Sequence, residues 1–135
     1  ATTDETRNRI MPINKKYPIA ALIEAAKKYP RAKRESVTLE YVLFRGVNDS
    51  LPDARRLASL ARRGEAKVNL IAYNEVEGLA PREMTGLPFA RPSDAEVLAF
   101  QRAVRDGGVQ VFIRKPRGRD IAGACGQLRL EEKNV

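Results

Sequence analysis

The residues best equipped for chemistry lie near the end of the chain. Arg114-Lys-Pro-Arg-Gly-Arg-Asp-Ile-Ala-Gly-Ala-Cys125-Gly126 sets four basic side chains within six positions, then the only cysteine of the sequence between small residues. Neighbouring guanidinium groups favour thiolate over thiol, and thiolate is the nucleophilic form. The same cations would hold a phosphate backbone beside the sulfur. The competing reading of Cys125 is a small buried hydrophobe, although glycines at 123 and 126 suit an exposed loop better than a packed core. A second candidate is Asn74 in Ala72-Tyr-Asn-Glu75, which opens a loop of about 18 residues running to Pro92. Its amide can donate and accept, which suits recognition of a ligand amide, hydroxyl or carboxylate, and equally suits capping of a strand end. The third is Arg45-Gly-Val-Asn-Asp-Ser50, where Asn48 or Asp49 either faces a ligand or simply builds a turn and helix cap.

Composition narrows the chemistry. The 135 residues include no histidine, which excludes Ser-His-Asp and Cys-His arrangements, an HExxH zinc site and an imidazole base. One cysteine excludes an internal disulfide, an all-cysteine zinc site and a self-contained iron–sulfur cluster. No apolar run approaches the roughly 20 residues of a membrane span, and no signal-peptide pattern opens the chain, so a cytoplasmic, reducing location is expected. The first residue is Ala1, which points to processing or to a fragment. The formal charge of +8 is uneven: residues 1–34 hold nine basic and three acidic side chains, and residues 109–135 hold six and three. A basic excess at both ends attracts polyanions, with nucleic acid the usual partner.

The elements that must position these residues alternate between helix and strand periods. Thr2-Thr-Asp-Glu5 has the spacing of a capping box and starts a short helix ending near Met11-Pro12. A second helix is expected from Pro18 to Tyr29, with Ile19, Leu22, Ile23 and Ala26 on its apolar face. Val37–Phe44 reads as a buried strand. Ser50 with Asp53 caps a helix to Arg63, with Ala54, Leu57, Ala58 and Ala61 inward. Lys67–Ala72 is a second strand. Ser93 and Glu96 form a capping box for a helix to about Asp106, with Val97, Phe100 and Val104 inward and Gly107-Gly108 ending it. Val109–Arg114 is a third strand. The order α-β-α-β-α-β calls for an α/β fold of about three parallel strands with flanking helices. The first helices lack a preceding strand, so the pattern reads as the second half of a (β/α) barrel, with a complete small three-stranded domain as the alternative.

Several of these segments, taken in order, resemble one family. They are Thr3-Asp-Glu-Thr-Arg-Asn-Arg-Ile-Met-Pro-Ile-Asn-Lys-Lys-Tyr17, Val37-Thr-Leu-Glu-Tyr-Val-Leu43, Gly46-Val-Asn-Asp49, Lys67-Val-Asn-Leu-Ile71 with Asn74, and Arg114-Lys115 with Asp120-Ile121 and Ala124-Cys-Gly-Gln-Leu128. The family is that of the radical-SAM dual-specificity RNA methyltransferases, which methylate C2 of an adenine in 23S rRNA and in some tRNAs. The resemblance implies that residues 1–135 are the carboxyl-terminal half of a partial (β/α)6 barrel, including the loop of the methyl-carrying cysteine. It implies S-adenosylmethionine and a 4Fe–4S cluster as cofactors. It maps the methyl carrier onto Cys125 and an S-adenosylmethionine contact onto Asn74, and it makes 23S rRNA and tRNA the partners.

In that family one S-adenosylmethionine methylates the cysteine and a second yields a 5′-deoxyadenosyl radical. A methylene radical then adds to adenine, and a second cysteine resolves the adduct. The cluster-binding CxxxCxxC, the resolving cysteine, the Gly-Glu-Pro segment and the amino-terminal RNA-binding region are not in this sequence. No metal ligand is therefore expected within these residues, and the chain alone is expected to be inactive. Ala72 and Glu75 stand where the family usually has proline, Arg119 replaces a common aspartate and Gly123 a common alanine. Two other readings stay open: the related methyltransferase acting at adenine C8, and a non-catalytic RNA-binding module derived from the enzyme.

Overall fold

The computed structural model describes residues 1–32, 35–74, 86 and 89–114. Four α-helices, a 3₁₀ turn and three strands are described: α1 (Asp4–Ile10), the turn at Pro12–Lys15, α2 (Ile19–Lys28), β1 (Val37–Leu43), α3 (Leu51–Arg63), β2 (Ala66–Ala72), α4 (Asp94–Asp106) and β3 (Val111–Ile113). The strands are parallel in the order β1-β2-β3. Val37 pairs with Ala66 and Leu43 with Ala72, while Val68 pairs with Val111. The α/β expectation with three parallel strands therefore holds.

Alternation along the strands sends Leu39, Tyr41 and Leu43, Val68 and Leu70, and Val111 and Ile113 toward one core with Ala54, Leu57, Ala58 and Ala61 of α3 and Val97, Phe100 and Val104 of α4. The inward residues expected of these two helices are the ones buried. Leu43, Leu70, Val68 and Val104 are 0% exposed and Phe100 2%. Complete burial of such side chains contributes about 1.5–3 kcal/mol each relative to leaving them in water. Tyr41 stacks on Phe100 with centroids 5.6 Å apart, tying β1 to α4.

The helix ends follow local chemistry. The Ser93 hydroxyl accepts the Glu96 N–H at 3.2 Å, and the Glu96 carboxylate accepts the Ser93 N–H at 2.6 Å, completing the expected capping box. These backbone and hydroxyl bonds hold the Glu96 carboxyl below its ordinary range. Ser50 caps α3 through the Asp53 N–H, as expected. Beyond α4, Gly108 takes φ +80°, a conformation that a side chain would resist.

Three expectations need correction. The cap of α1 is one-sided: Thr3 accepts the Thr6 N–H, and the third helical position is Thr6 rather than Glu. Thr2 instead donates its hydroxyl proton to Asp53 at 2.6 Å, pinning the start of the chain to α3. On α2 only Ile23 of the four expected apolar residues is buried, and Leu22 is 39% exposed. The cause is its peripheral position, with Ile23 reaching Gly64 at the end of α3. Finally, β3 is three residues rather than six. Val109 and Gln110 run beside β2 before the regular pairing begins, with the Gln110 carbonyl accepting the Val68 N–H at 2.9 Å.

Candidate functional site at the carboxyl ends of the strands

Parallel strands deliver their carboxyl ends to one edge of the sheet, where ligand sites of such folds collect. At this edge β1 runs into the 44–50 turn, β2 into Tyr73-Asn74, and β3 into Arg114. The Tyr73 N–H still bonds the Leu43 carbonyl at 3.0 Å, and the Arg114 N–H bonds that of Leu70 at 2.9 Å. The three exits are therefore held side by side by backbone.

At the first exit the turn reading of Asn48 prevails. Its side chain is buried, accepts the Phe44 N–H and donates to the Val42 carbonyl, both at 2.8 Å. Its own carbonyl accepts the Tyr41 hydroxyl at 2.8 Å. Burial also holds the Tyr41 hydroxyl protonated, well above the ordinary tyrosine range. Asp49 accepts the Gly46 N–H at 2.9 Å, where glycine adopts φ +67°. The Asn48 amide and the Asp49 carboxylate are thus both engaged in building this turn.

Asn74 is half-buried. Its Oδ1 accepts from the Arg91 guanidinium at 2.9 Å, and Arg91 also contacts Asp94 at 3.3 Å. A guanidinium carries only donors, so this bond fixes the amide with its oxygen toward Arg91. The Nδ2 hydrogens have no partner among the described residues. Arg91 was not among the residues expected at this site, because its bond to Asn74 spans 17 residues across the loop.

Two further groups were not anticipated. Phe44, Tyr73 and Phe89 form an aromatic cluster at the strand ends, with centroids 4.3 Å apart for Phe44–Phe89 and 5.0 Å for Phe44–Tyr73. On the sheet face opposite the core, Glu40, Asn69 and Phe112 lie in register across the three strands. Asn69 donates to Glu40 at 3.4 Å, and Arg114 lies 4.0 Å from the same carboxylate oxygen. The period-two alternation of β1 carried that signal, since Glu40 falls on the face away from Tyr41.

Cys125 lies outside the described residues, as do its basic neighbours from Lys115 onward and residues 75–85 of the loop after Asn74. Among the described residues no group of three His, Cys, Asp or Glu side chains could hold a metal ion. No described helix is long and apolar enough to cross a membrane. A 4Fe–4S cluster needs several thiolates, and the sequence has one, so these residues do not provide its ligands.

No family model matches the sequence. Individual relatives do. The chain is 47% identical over 133 residues to the dual-specificity RNA methyltransferase RlmN of Desulfosudis oleivorans, covering 98% of this chain and 34% of that protein. It is 48% identical over 132 residues to a probable RlmN of Koribacter versatilis, covering 98% and 36%. A crystal structure of a radical SAM methyltransferase from Sphaerobacter thermophilus superposes with a TM-score of 0.80 at 39% identity, over 94% of this chain and 35% of that one. The chain thus spans about a third of the length of the curated relatives it matches. Sequence and backbone agree over nearly all of its residues, and the chain is similar throughout to about a third of a radical-SAM dual-specificity RNA methyltransferase.

Proposed function

We propose that this chain serves a radical-SAM RNA methyltransferase that methylates C2 of adenine in 23S rRNA and tRNA. In that reading residues 1–135 form the carboxyl-terminal half of the barrel, and Cys125 is the methyl carrier. The carrying observation is sequence similarity to named RNA methyltransferases across 98% of the chain, with the cysteine loop inside the similar stretch. Connectivity permits the role. Cys125 follows Arg114 by eleven residues, and that length of chain can span up to about 35–40 Å from the strand-end edge.

The fit to S-adenosylmethionine rests on Asn74. Its oxygen is held by Arg91, and its amide hydrogens, which have no partner among the described residues, are the donors this reading gives to the ligand. The cluster has no ligands here, and a polypeptide of the relatives' full length would have to supply them. S-adenosylmethionine, when bound, supplies the methyl group and the radical chemistry. What this chain contributes is a thiolate: adenine C2 is electron-poor, so direct methyl transfer from a sulfonium fails there, whereas a methyl group held on sulfur would lose a hydrogen atom to the radical chemistry and add to the ring as a carbon radical. Arginines near Cys125 favour the thiolate and attract the RNA backbone.

Replacing Asn74 with alanine in the complete enzyme is expected to weaken S-adenosylmethionine binding about tenfold, the loss of roughly one hydrogen bond in a desolvated site. Calorimetric titration of the reconstituted protein measures it, and unchanged affinity removes Asn74 from the site. Nucleoside analysis of treated RNA tests the activity itself. 2-Methyladenosine is the expected product; 8-methyladenosine or no modified adenosine contradicts the reading.

A further inference from the structure

The sequence contains the same tetrapeptide twice, Lys15-Lys-Tyr-Pro18 and Lys27-Lys-Tyr-Pro30, and the structure places one copy at each end of α2. Among the described residues no hydrogen bond or ion pair engages these side chains. Tyr17 is 47% exposed and Tyr29 65%, and all four lysines are exposed. Lys16 already sits over the Tyr17 ring, with its ammonium 5.3 Å from the centroid. Between the two copies α2 rises about 15 Å over its ten residues and contributes a single carboxylate, Glu24. Ile13, beside the first copy, is 53% exposed as well.

Buried structure explains why the first copy is presented outward rather than folded in. Asn14 fills the interior of the α1–α2 junction, donating to Asp4 at 3.0 Å and to Asn8 at 2.8 Å and accepting from Arg7. Asp4 in turn accepts the Ile19 N–H at 2.9 Å. Arg7 also donates to the Tyr17 carbonyl at 3.1 Å. The backbone at Tyr17 is therefore fixed from behind, while its ring and the two adjacent ammonium groups face solvent. A rigid mount with an exposed ring and paired cations matches the needs of single-stranded nucleic acid, whose bases stack on aromatic rings while its phosphates pair with lysines. A protein partner would more commonly be met by arginine and a desolvated apolar centre, since lysine is depleted at such interfaces.

We propose that the two Lys-Lys-Tyr segments flanking α2 form a two-point platform for unpaired RNA, each tyrosine stacking one base and each lysine pair neutralising neighbouring phosphates. This rests on the RNA reading above and deepens it by assigning the contact residues. Fluorescence anisotropy of the full-length protein with a labelled hairpin RNA carrying an unpaired loop tests it. The variants are Tyr17→Ala/Tyr29→Ala, Tyr17→Phe/Tyr29→Phe, and Lys15→Gln/Lys16→Gln/Lys27→Gln/Lys28→Gln. Loss of two stacked bases is expected to weaken binding at least about tenfold, with phenylalanine restoring it. The glutamine variant is expected to bind more weakly and to show a shallower dependence of affinity on salt. Circular dichroism of each variant should match wild type, because the replaced side chains are exposed. Wild-type RNA binding that survives all three variants unchanged overturns the platform and leaves the RNA reading intact. Equal loss in the alanine and phenylalanine variants overturns the stacking role. A wild-type protein that binds no RNA overturns both readings.

Discussion

Replacing Cys125 with alanine in the complete enzyme is expected to reduce adenine methylation to the level of a no-enzyme control. Cluster content and S-adenosylmethionine binding should be unchanged. The size of the effect follows from the substrate. An electron-poor aromatic carbon offers no nucleophile, so without a sulfur to carry the methyl group the remaining machinery has no acceptor for it. Serine at the same position is expected to be nearly as damaging, because an alcohol at neutral pH supplies almost no alkoxide. Nucleoside mass spectrometry of RNA recovered from each reaction measures both. Methylated adenine from the alanine variant would show that Cys125 is not the carrier.

The second large effect is structural. Asn48→Ala is expected to destabilise the fold by about 2–4 kcal/mol, because it strands the Phe44 N–H and the Val42 carbonyl at a position that is 1% exposed. Urea denaturation followed by circular dichroism gives the value. Asn48→Asp should recover only part of the loss: a carboxylate can still accept the Phe44 N–H but cannot donate to Val42. If Asn48→Ala is instead as stable as wild type but binds ligand poorly, the asparagine belongs to the site rather than to the turn. Its two side-chain bonds to backbone, both 2.8 Å, argue for the structural outcome.

This residue shows what could be read before the fold was known. The Gly46-Val-Asn-Asp49 segment admitted both a turn and a ligand contact, because asparagine chemistry is the same in each. Only the positions of the Val42 and Phe44 backbone groups decide between them. The strands and the inward faces of α3 and α4 were legible because burial repeats with the period of each element. The α2 face was less so: periodicity reports which side of a helix is apolar, not whether anything packs on it. Leu22 is apolar and exposed for that reason. The Arg91–Asn74 bond joins residues 17 apart across a loop, and no local pattern encodes such a pairing. The aromatic cluster of Phe44, Tyr73 and Phe89 depends likewise on three separate segments meeting at the sheet edge. Thr2 looked like part of a helix cap because its spacing allows it, yet Asp53, 51 residues away, claims its hydroxyl. Serine, threonine and arginine bonds likewise hold the Asp53 carboxyl below its usual range against the cost of its burial.

The family resemblance carried most of the functional reading, and the fold accounts for where that function would sit. Three parallel strands end at one edge, where Asn74 follows β2 and Arg114 follows the neighbouring β3. The central claim is that this sulfur holds the methyl group before RNA receives it. The most direct test is to supply the complete enzyme with methyl-deuterated S-adenosylmethionine, without RNA, and map the Cys125 peptide by mass spectrometry. A deuterated methyl group on Cys125, chased into 2-methyladenosine when RNA is added, is the expected result. An active enzyme whose Cys125 stays an unmodified thiol throughout would contradict it.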